Sequence, residues 1–185
     1  VTIYGYAPKV YVSGCFGYLK TTGAGVNNLT NGGTVEVPDM STAKNIPDNF
    51  YVGGIFGNAD LSAVYPTSLV SVDSAKAISD CHNSGDIIYK GMARDGAYVG
   101  GIGGWASKAP ICDCTNSGKV ISEGHAGSLC PEYAEGSSST VNSEKYTKHA
   151  YRNYHYHDIA IGGIVGETDL HMSGCENNGE VSHSC

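Results

Sequence analysis

Tyr51-Val52-Gly53-Gly54-Ile55-Phe56-Gly57 is a phrase that this chain repeats. It returns as Tyr98-Val99-Gly100-Gly101-Ile102-Gly103-Gly104 and as Ala160-Ile161-Gly162-Gly163-Ile164-Val165-Gly166. A looser copy is Tyr11-Val12-Ser13-Gly14-Cys15-Phe16-Gly17. A second phrase follows each copy. It reads Leu29-Thr30-Asn31-Gly32-Gly33-Thr34-Val35, Cys81-His82-Asn83-Ser84-Gly85-Asp86-Ile87, Cys114-Thr115-Asn116-Ser117-Gly118-Lys119-Val120 and Cys175-Glu176-Asn177-Asn178-Gly179-Glu180-Val181. Self-similarity of this kind marks a stacked architecture, in which each unit covers the apolar face of its neighbour.

Aligning the four units yields five apolar columns. They are Val12, Val52, Val99 and Ile161; Cys15, Ile55, Ile102 and Ile164; Val26, Ile78, Ile111 and Met172; Leu29, Cys81, Cys114 and Cys175; and Val35, Ile87, Val120 and Val181. Each unit reads as two short, β-branched, strand-like segments separated by a variable loop. The Asn-x-Gly tripeptide predicts a turn at one corner of every unit, because Asn and Gly both tolerate positive φ. The Gly-Gly pair lets neighbouring backbones approach closely. No segment carries a long, capped helical period. The expectation is an all-β, β-helix-like β-solenoid of four imperfect Gly-rich repeats with long loop insertions, forming one domain over 1–185. The repeats fall at about 11–37, 51–88, 98–121 and 160–182. The excess length sits in Pro38–Phe50, Asn58–Ala77 and the main insertion, 122–159. Insertions at fixed points become loops on one side, often the binding side. The last repeat stops soon after Val181 without a polar cap, which predicts a piece of a longer chain or an end that a partner covers.

Composition narrows the partners. The net charge is −7 and Arg94 and Arg152 are the sole arginines. Phosphate binding needs clustered Lys and Arg, so nucleic acid and anionic membrane surfaces are disfavoured, and acidic polysaccharides with them. No run of 18 apolar residues exists, so no direct membrane insertion by a helix is expected.

Gly-Gly-Ile-x-Gly followed by Cys-x-Asn-x-Gly-x-Val resembles the GLUG motif of bacterial surface proteins. The resemblance covers Tyr11–Val37, Tyr51–Ile88, Tyr98–Ile121 and Ala160–Ser182, with Ser13 and Cys15 departing from the pattern in the first unit. That motif recurs in adhesin-like proteins of Bacteroidota and in the non-catalytic region of IgA-specific metalloendopeptidases. It implies an extracellular or bacterial cell-surface module with a β-helical body, and it brings no catalytic residues.

Four cysteines, Cys15, Cys81, Cys114 and Cys175, occupy core columns, where a free thiol acts as a small hydrophobe. Stacked strands place equivalent residues about 4.8 Å apart, with parallel Cβ vectors that do not favour a disulfide. Cys112, Cys130 and Cys185 lie outside the columns, and Cys112 with Cys130 is the pair to test in an oxidising compartment. Cys112-Asp113-Cys114 lacks the spacing of a zinc site. Adjacent strand residues face opposite ways, which splits Cys81 from His82 and removes a thiol–imidazole couple.

The functional candidates are Tyr151, Tyr154, His155, Tyr156, His157 and Asp158, with Trp105. If extended, the stretch puts His155 and His157 on one face and Tyr154, Tyr156 and Asp158 on the other. It reads as a solvated edge strand, as a ligand surface built on tyrosine's apolar ring and hydroxyl, or as a metal-binding pair of histidines. Trp105 is either a packing residue or a platform for a sugar ring. No cofactor, resident metal or catalytic set is expected. The functional expectation is a non-catalytic surface module for adhesion or assembly, whose partner is a host glycan or protein or a neighbouring chain. The alternatives are an accessory region of a secreted metalloendopeptidase or polysaccharide-degrading enzyme, and a purely structural spacer.

Overall fold

The structure is a computed structural model and describes residues 7–21, 23–40, 46–62, 74–126 and 159–184. Those residues form an all-β stack of parallel strands, consistent with a β-helix- or solenoid-like fold. Each of five four-stranded sheets takes one strand from every repeat, and the repeats stack in chain order. The first sheet comprises Lys9–Ser13, Asn49–Gly53, Gly96–Gly100 and Ile159–Gly162. The second comprises Phe16–Lys20, Phe56–Asp60, Gly103–Ser107 and Val165–Thr168. Two-residue strands build the third (Val26–Asn27, Ile78–Ser79, Ile111–Cys112, Met172–Ser173) and the fourth (Thr30–Asn31, His82–Asn83, Thr115–Asn116, Glu176–Asn177). Val35–Val37, Ile87–Tyr89, Val120–Ser122 and Val181–His183 form the fifth, and Met92–Ala93 pairs with His125–Ala126 beside it.

The register joins the columns read from sequence. Val12 pairs with Val52, Val52 with Val99 and Val99 with Ile161. Val26, Ile78, Ile111 and Met172 form a second continuous ladder. Val35, Ile87, Val120 and Val181 form a third. Ile55 and Ile102 are fully buried and Ile164 is 9% exposed, within one apolar cluster that also holds Ile78, Cys81, Ile111 and Cys114. A second cluster gathers Val52, Ile87, Val99 and Val120, with Ile161 packed against it. Two expected core residues fall outside: Met172 is 46% and Val181 43% exposed. Cys15 is exposed and Cys175 half-buried. All four lie in a terminal unit, where only one side of the layer has a neighbour.

Each unit contains five strands in place of the two segments expected. Bends divide the expected segments into shorter strands, and the second-sheet strand extends furthest beyond them: Phe56–Asp60 runs into what the sequence suggested was the Asn58–Ala77 insertion. Its register column, Tyr18, Asn58, Trp105 and Glu167, shares no residue type, so alignment of like residues passes over it. Likewise Asn49–Gly53 starts within the expected Pro38–Phe50 insertion.

The Asn-x-Gly corner is present in every unit: the asparagine ends a fourth-sheet strand and the chain bends at Gly33, Gly85, Gly118 or Gly179 into the fifth sheet. Positive φ occurs not there but at a second corner, one residue before the cysteine column, at Asn28 (58°), Asp80 (51°), Asp113 (52°) and Gly174 (63°). Asn, Asp and Gly are the residues that enter the left-handed region at least cost, and here they turn the chain between the third and fourth sheets. The asparagines of the motif form a ladder. The Asn31 amide donates to Asn83 Oδ1 at 2.7 Å, Asn83 to Asn116 at 2.7 Å and Asn116 to Asn177 at 2.8 Å. The other amide hydrogen of each goes to the carbonyl two residues on, Gly33, Gly85, Gly118 or Gly179, at 2.7–2.8 Å. Asn83 and Asn116 are buried with donor and acceptor both used, which is what makes a buried amide tolerable.

The ladder explains why the two phrases travel together. A Cβ at Gly14 or Gly54 would stand 2.5 Å from the carboxamide carbon of Asn31 or Asn83. At Gly101 and Gly163 it would collide with Asn116 and Asn177. The second glycine of the Gly-Gly pair thus leaves the room that the asparagine of the same unit fills.

Candidate functional site

The outer flank of the first and second sheets carries an aromatic ladder. Tyr11, Tyr51 and Tyr98 are register partners. Parallel strands in register hold equivalent side chains about 4.8 Å apart, close to the thickness that offset rings need. Tyr11 and Tyr51 stack at 5.1 Å with 17° between planes, and Tyr51 and Tyr98 at 5.1 Å with 8°. The fourth position is Ala160, so the ladder stops there.

Two second-sheet residues close over it. The Trp105 ring lies 5.7 Å from Tyr51 and 5.2 Å from Tyr98. Tyr18 lies 5.4 Å from Tyr11. Tyr51, between them, is 1% exposed, whereas Tyr18 is 47% exposed and Trp105 half-buried. Trp105 therefore both packs against the tyrosines and offers part of its face to solvent.

Asn58 occupies the register position between Tyr18 and Trp105. It is 9% exposed, and its Oδ1 has no hydrogen-bond partner. A buried amide oxygen left unpaired costs about 1–3 kcal/mol, and this one is closed off from solvent beneath the aromatic flank.

Carboxylates surround the rings. Burial raises the Tyr51 phenol well above its usual range, followed by the neighbouring Tyr98 and Tyr11 and by Glu167 and Asp95. Tyr98 is raised by burial, then by Glu167 and Asp95. Tyr11 is raised by burial and by Tyr18. These phenols stay protonated at neutral pH. At the rim, Tyr18 Oη donates to Asp60 Oδ2 at 3.4 Å, and Lys20 Nζ lies 3.5 Å from the same oxygen. The Ser62 hydroxyl and backbone N–H hold the Asp60 carboxyl below its ordinary range, with Lys20 adding to the effect. Stacked rings and nearby carboxylate acceptors match what a sugar ring offers: apolar C–H faces edged by hydroxyls.

Of the sequence candidates, Trp105 belongs to this site. Tyr151, Tyr154, His155, Tyr156, His157 and Asp158 lie outside the described residues. Tyr11, Tyr18, Tyr51, Tyr98 and Asn58 were not among the candidates. The signal for three of them is plain, since tyrosine opens three of the four Gly-rich phrases. His82 is exposed, 2.7 Å from Thr115 Oγ1 across the fourth sheet, and Cys81 faces the core.

The thiol column is chemically graded. Cys81 donates to Ser79 O at 3.3 Å and Cys114 to Cys112 O at 3.2 Å. The Cys175 thiol reaches Ser173 O at 3.5 Å and Ile111 O at 3.6 Å. Contact with the Cys175 and Cys81 thiols, then burial, pushes the Cys114 thiol far up. The Cys114 thiol in turn draws Cys175 down to about 6. Cys112 is buried and accepts from the Ser173 hydroxyl at 3.5 Å; Cys130 and Cys185 lie outside the described residues.

No family model matches this chain, and no characterised protein or solved structure matches it significantly.

Proposed function

We propose that this protein is a non-catalytic extracellular or cell-surface repeat module whose stacked strands close into a β-solenoid and display a carbohydrate-binding flank. The observation that carries the reading is the ladder of stacked tyrosines edged by Tyr18, 47% exposed, and the half-buried Trp105. A sugar ring lies on the exposed parts of the Tyr18 and Trp105 faces. Glu167, Asp95 and Asp60 make the surroundings acidic, which favours neutral glycans over sialylated or uronic-acid ones by charge repulsion. The resemblance of the repeat phrases to the GLUG motif supports a bacterial adhesin-type role.

The test is titration calorimetry with neutral host-type oligosaccharides, chosen from a glycan array. Trp105→Ala and Tyr18→Ala each weaken binding about tenfold or more, which is a loss of about 1.4 kcal/mol. Absence of binding by the parent chain to any glycan on the array would remove the reading. Cleavage of a bound glycan would replace it with the enzyme alternative.

A further inference from the structure

From the place where the aromatic ladder stops, we infer that this chain holds an arginine side chain of a partner polypeptide on the far face of Tyr98, at the rung where Ala160 stands. The inference does not rest on the sugar reading, and of its residues only Trp105 is shared.

Three observations converge. The first is a missing rung. Tyr11, Tyr51 and Tyr98 follow one another in register, and the fourth position is Ala160. One face of Tyr98 is taken by Tyr51 at 5.1 Å. Trp105 does not take the other. Its centroid lies 5.7 Å from Tyr51 and 5.2 Å from Tyr98, so it stands beside the pair and not on top of it. A ring resting on the far face of Tyr98 would lie about two strand spacings, ~9.6 Å, from Tyr51. Among the described residues no ring stacks on that far face, and Tyr98 and Ala160 are both half-buried. A further repeat stacked on unit four would stand two strand spacings from Tyr98, about 9.6 Å away, and would leave the Ala160 rung unfilled.

The second is charge. Glu167 is the register partner of Trp105, in the same unit as Ala160, and is exposed. Among the described residues its carboxylate has no ion-pair partner, whereas Asp60 and Asp169 of the same flank are paired with Lys20 and Lys108 of the unit before. Before Glu167 the column holds Trp105 where a lysine would have supplied the cation. Burial, then Glu167 and Asp95, raises the Tyr98 phenol, so two carboxylates act on this ring. Residues 159–184 carry Glu167, Asp169, Glu176 and Glu180 with neither Lys nor Arg.

The third is shape. The missing rung is one strand spacing thick, about 4.8 Å. A guanidinium is planar, stacks on an aromatic face and offers a fork of N–H donors to a carboxylate. It therefore continues the ladder as a fourth layer on Tyr98, with its donors toward Glu167. A cation within about 6 Å of a tyrosine ring centre is attracted by the negative face of the ring, and one rung is shorter than that. An ammonium gains the same attraction without the stacking, and is the more strongly hydrated.

Titration with capped Gly-Arg-Gly, Gly-Lys-Gly and Gly-citrulline-Gly peptides tests this. The readout is the indole N–H resonance of Trp105, the sole tryptophan. Gly-Arg-Gly shifts the resonance saturably, Gly-Lys-Gly binds about threefold or more weakly, and the citrulline peptide, which keeps the planar shape without the charge, leaves it in place. Ala160→Tyr fills the rung with the ring that the other units carry and weakens Gly-Arg-Gly about tenfold or more with unchanged circular dichroism. Glu167→Gln weakens it about three- to fivefold. Tyr18→Ala leaves arginine binding unchanged although it removes a sugar contact, so failure of one site is told apart from failure of the other. A parent chain with no saturable shift overturns the inference. So does citrulline binding equal to arginine binding, or an Ala160→Tyr chain that binds Gly-Arg-Gly as tightly as the parent. Should Ala160→Tyr fail to fold, Glu167→Gln decides by the same readout, and parent-like affinity there overturns the inference.

Discussion

Units two and three differ from units one and four in surroundings far more than in sequence. The same phrase places Ile55 and Ile102 in complete burial, but Cys15 of unit one in solvent and Ile164 of unit four at 9% exposure. Ile78 and Ile111 are fully covered, and their ladder partner Met172 is 46% exposed. Asn116 is fully buried with every polar atom used, and Asn177 is exposed. The motif thus fixes a position in a ladder. Burial is conferred by the units above and below, as nearest-neighbour coupling in a stacked array requires.

The difference is broken most strongly by cavity variants. Ile111→Ala costs about 4 kcal/mol, because the site is enclosed on both sides and collapses poorly. Met172→Ala, at the same ladder position in an end unit, costs less than about 1 kcal/mol. Urea melts of both variants measure the contrast; equal losses would contradict it. Next comes the asparagine ladder. Asn116→Ala strands the Asn83 donor and the Asn177 and Gly118 acceptors and costs about 2–3 kcal/mol, against about 0.5 for Asn177→Ala. Glycine follows: Gly118→Ala must push apart two backbones and costs about 2 kcal/mol, while Gly33→Ala leaves the Tm of the isolated chain unchanged.

A smaller contrast is one of reactivity within a single column. Cys175 is half-buried and its thiol is drawn down by contact with the Cys114 thiol, whereas Cys114 is fully buried and pushed up. The thiolate is the nucleophile, so iodoacetamide at pH 7 labels Cys175 in the native protein and spares Cys114. Peptide mapping reads the outcome. Equal labelling of both would show that the stack opens on the labelling timescale.

What was legible beforehand follows from what repeats. Val52, Val99 and Ile161 recur as one residue class at one spacing, so their ladder could be read directly. The second-sheet strand could not, because Tyr18, Asn58, Trp105 and Glu167 share a place without sharing a chemistry. Asn-x-Gly was legible as a corner, and the chain does bend at its glycine in every unit; its second role, an inward ladder, was not legible, because that depends on the Gly-Gly partner across the unit. A further corner was signalled one residue before each cysteine-column position, by Asn28, Asp80, Asp113 and Gly174. The aromatic site was half legible: Tyr11, Tyr51 and Tyr98 open their phrases, but the closure by Trp105 and the unpaired Asn58 oxygen depend on a strand that the pattern hides.

The smallest expected effect lies in the tyrosine ladder under alkaline conditions. Tyr51 belongs to an inner unit and is 1% exposed; Tyr11 belongs to an outer one and is half-buried. Both phenols are raised by burial, Tyr51 the more. A raised folded-state value means that the unfolded chain loses the proton first. The stabilisation is therefore fully present below the ordinary tyrosine range, near pH 10, and is lost as pH climbs from there toward the folded-state value. Stability should be flat between pH 7 and about 9 with respect to these groups and fall above about 10. Tyr51→Phe removes the group that ionises and so flattens the fall, and Tyr11→Phe flattens it less. Thermal melts at stepped alkaline pH measure both slopes. If Tyr11→Phe flattened the curve as much as Tyr51→Phe, the inner and outer rungs would share one environment, and the contrast between inner and terminal units would not extend to the aromatic flank.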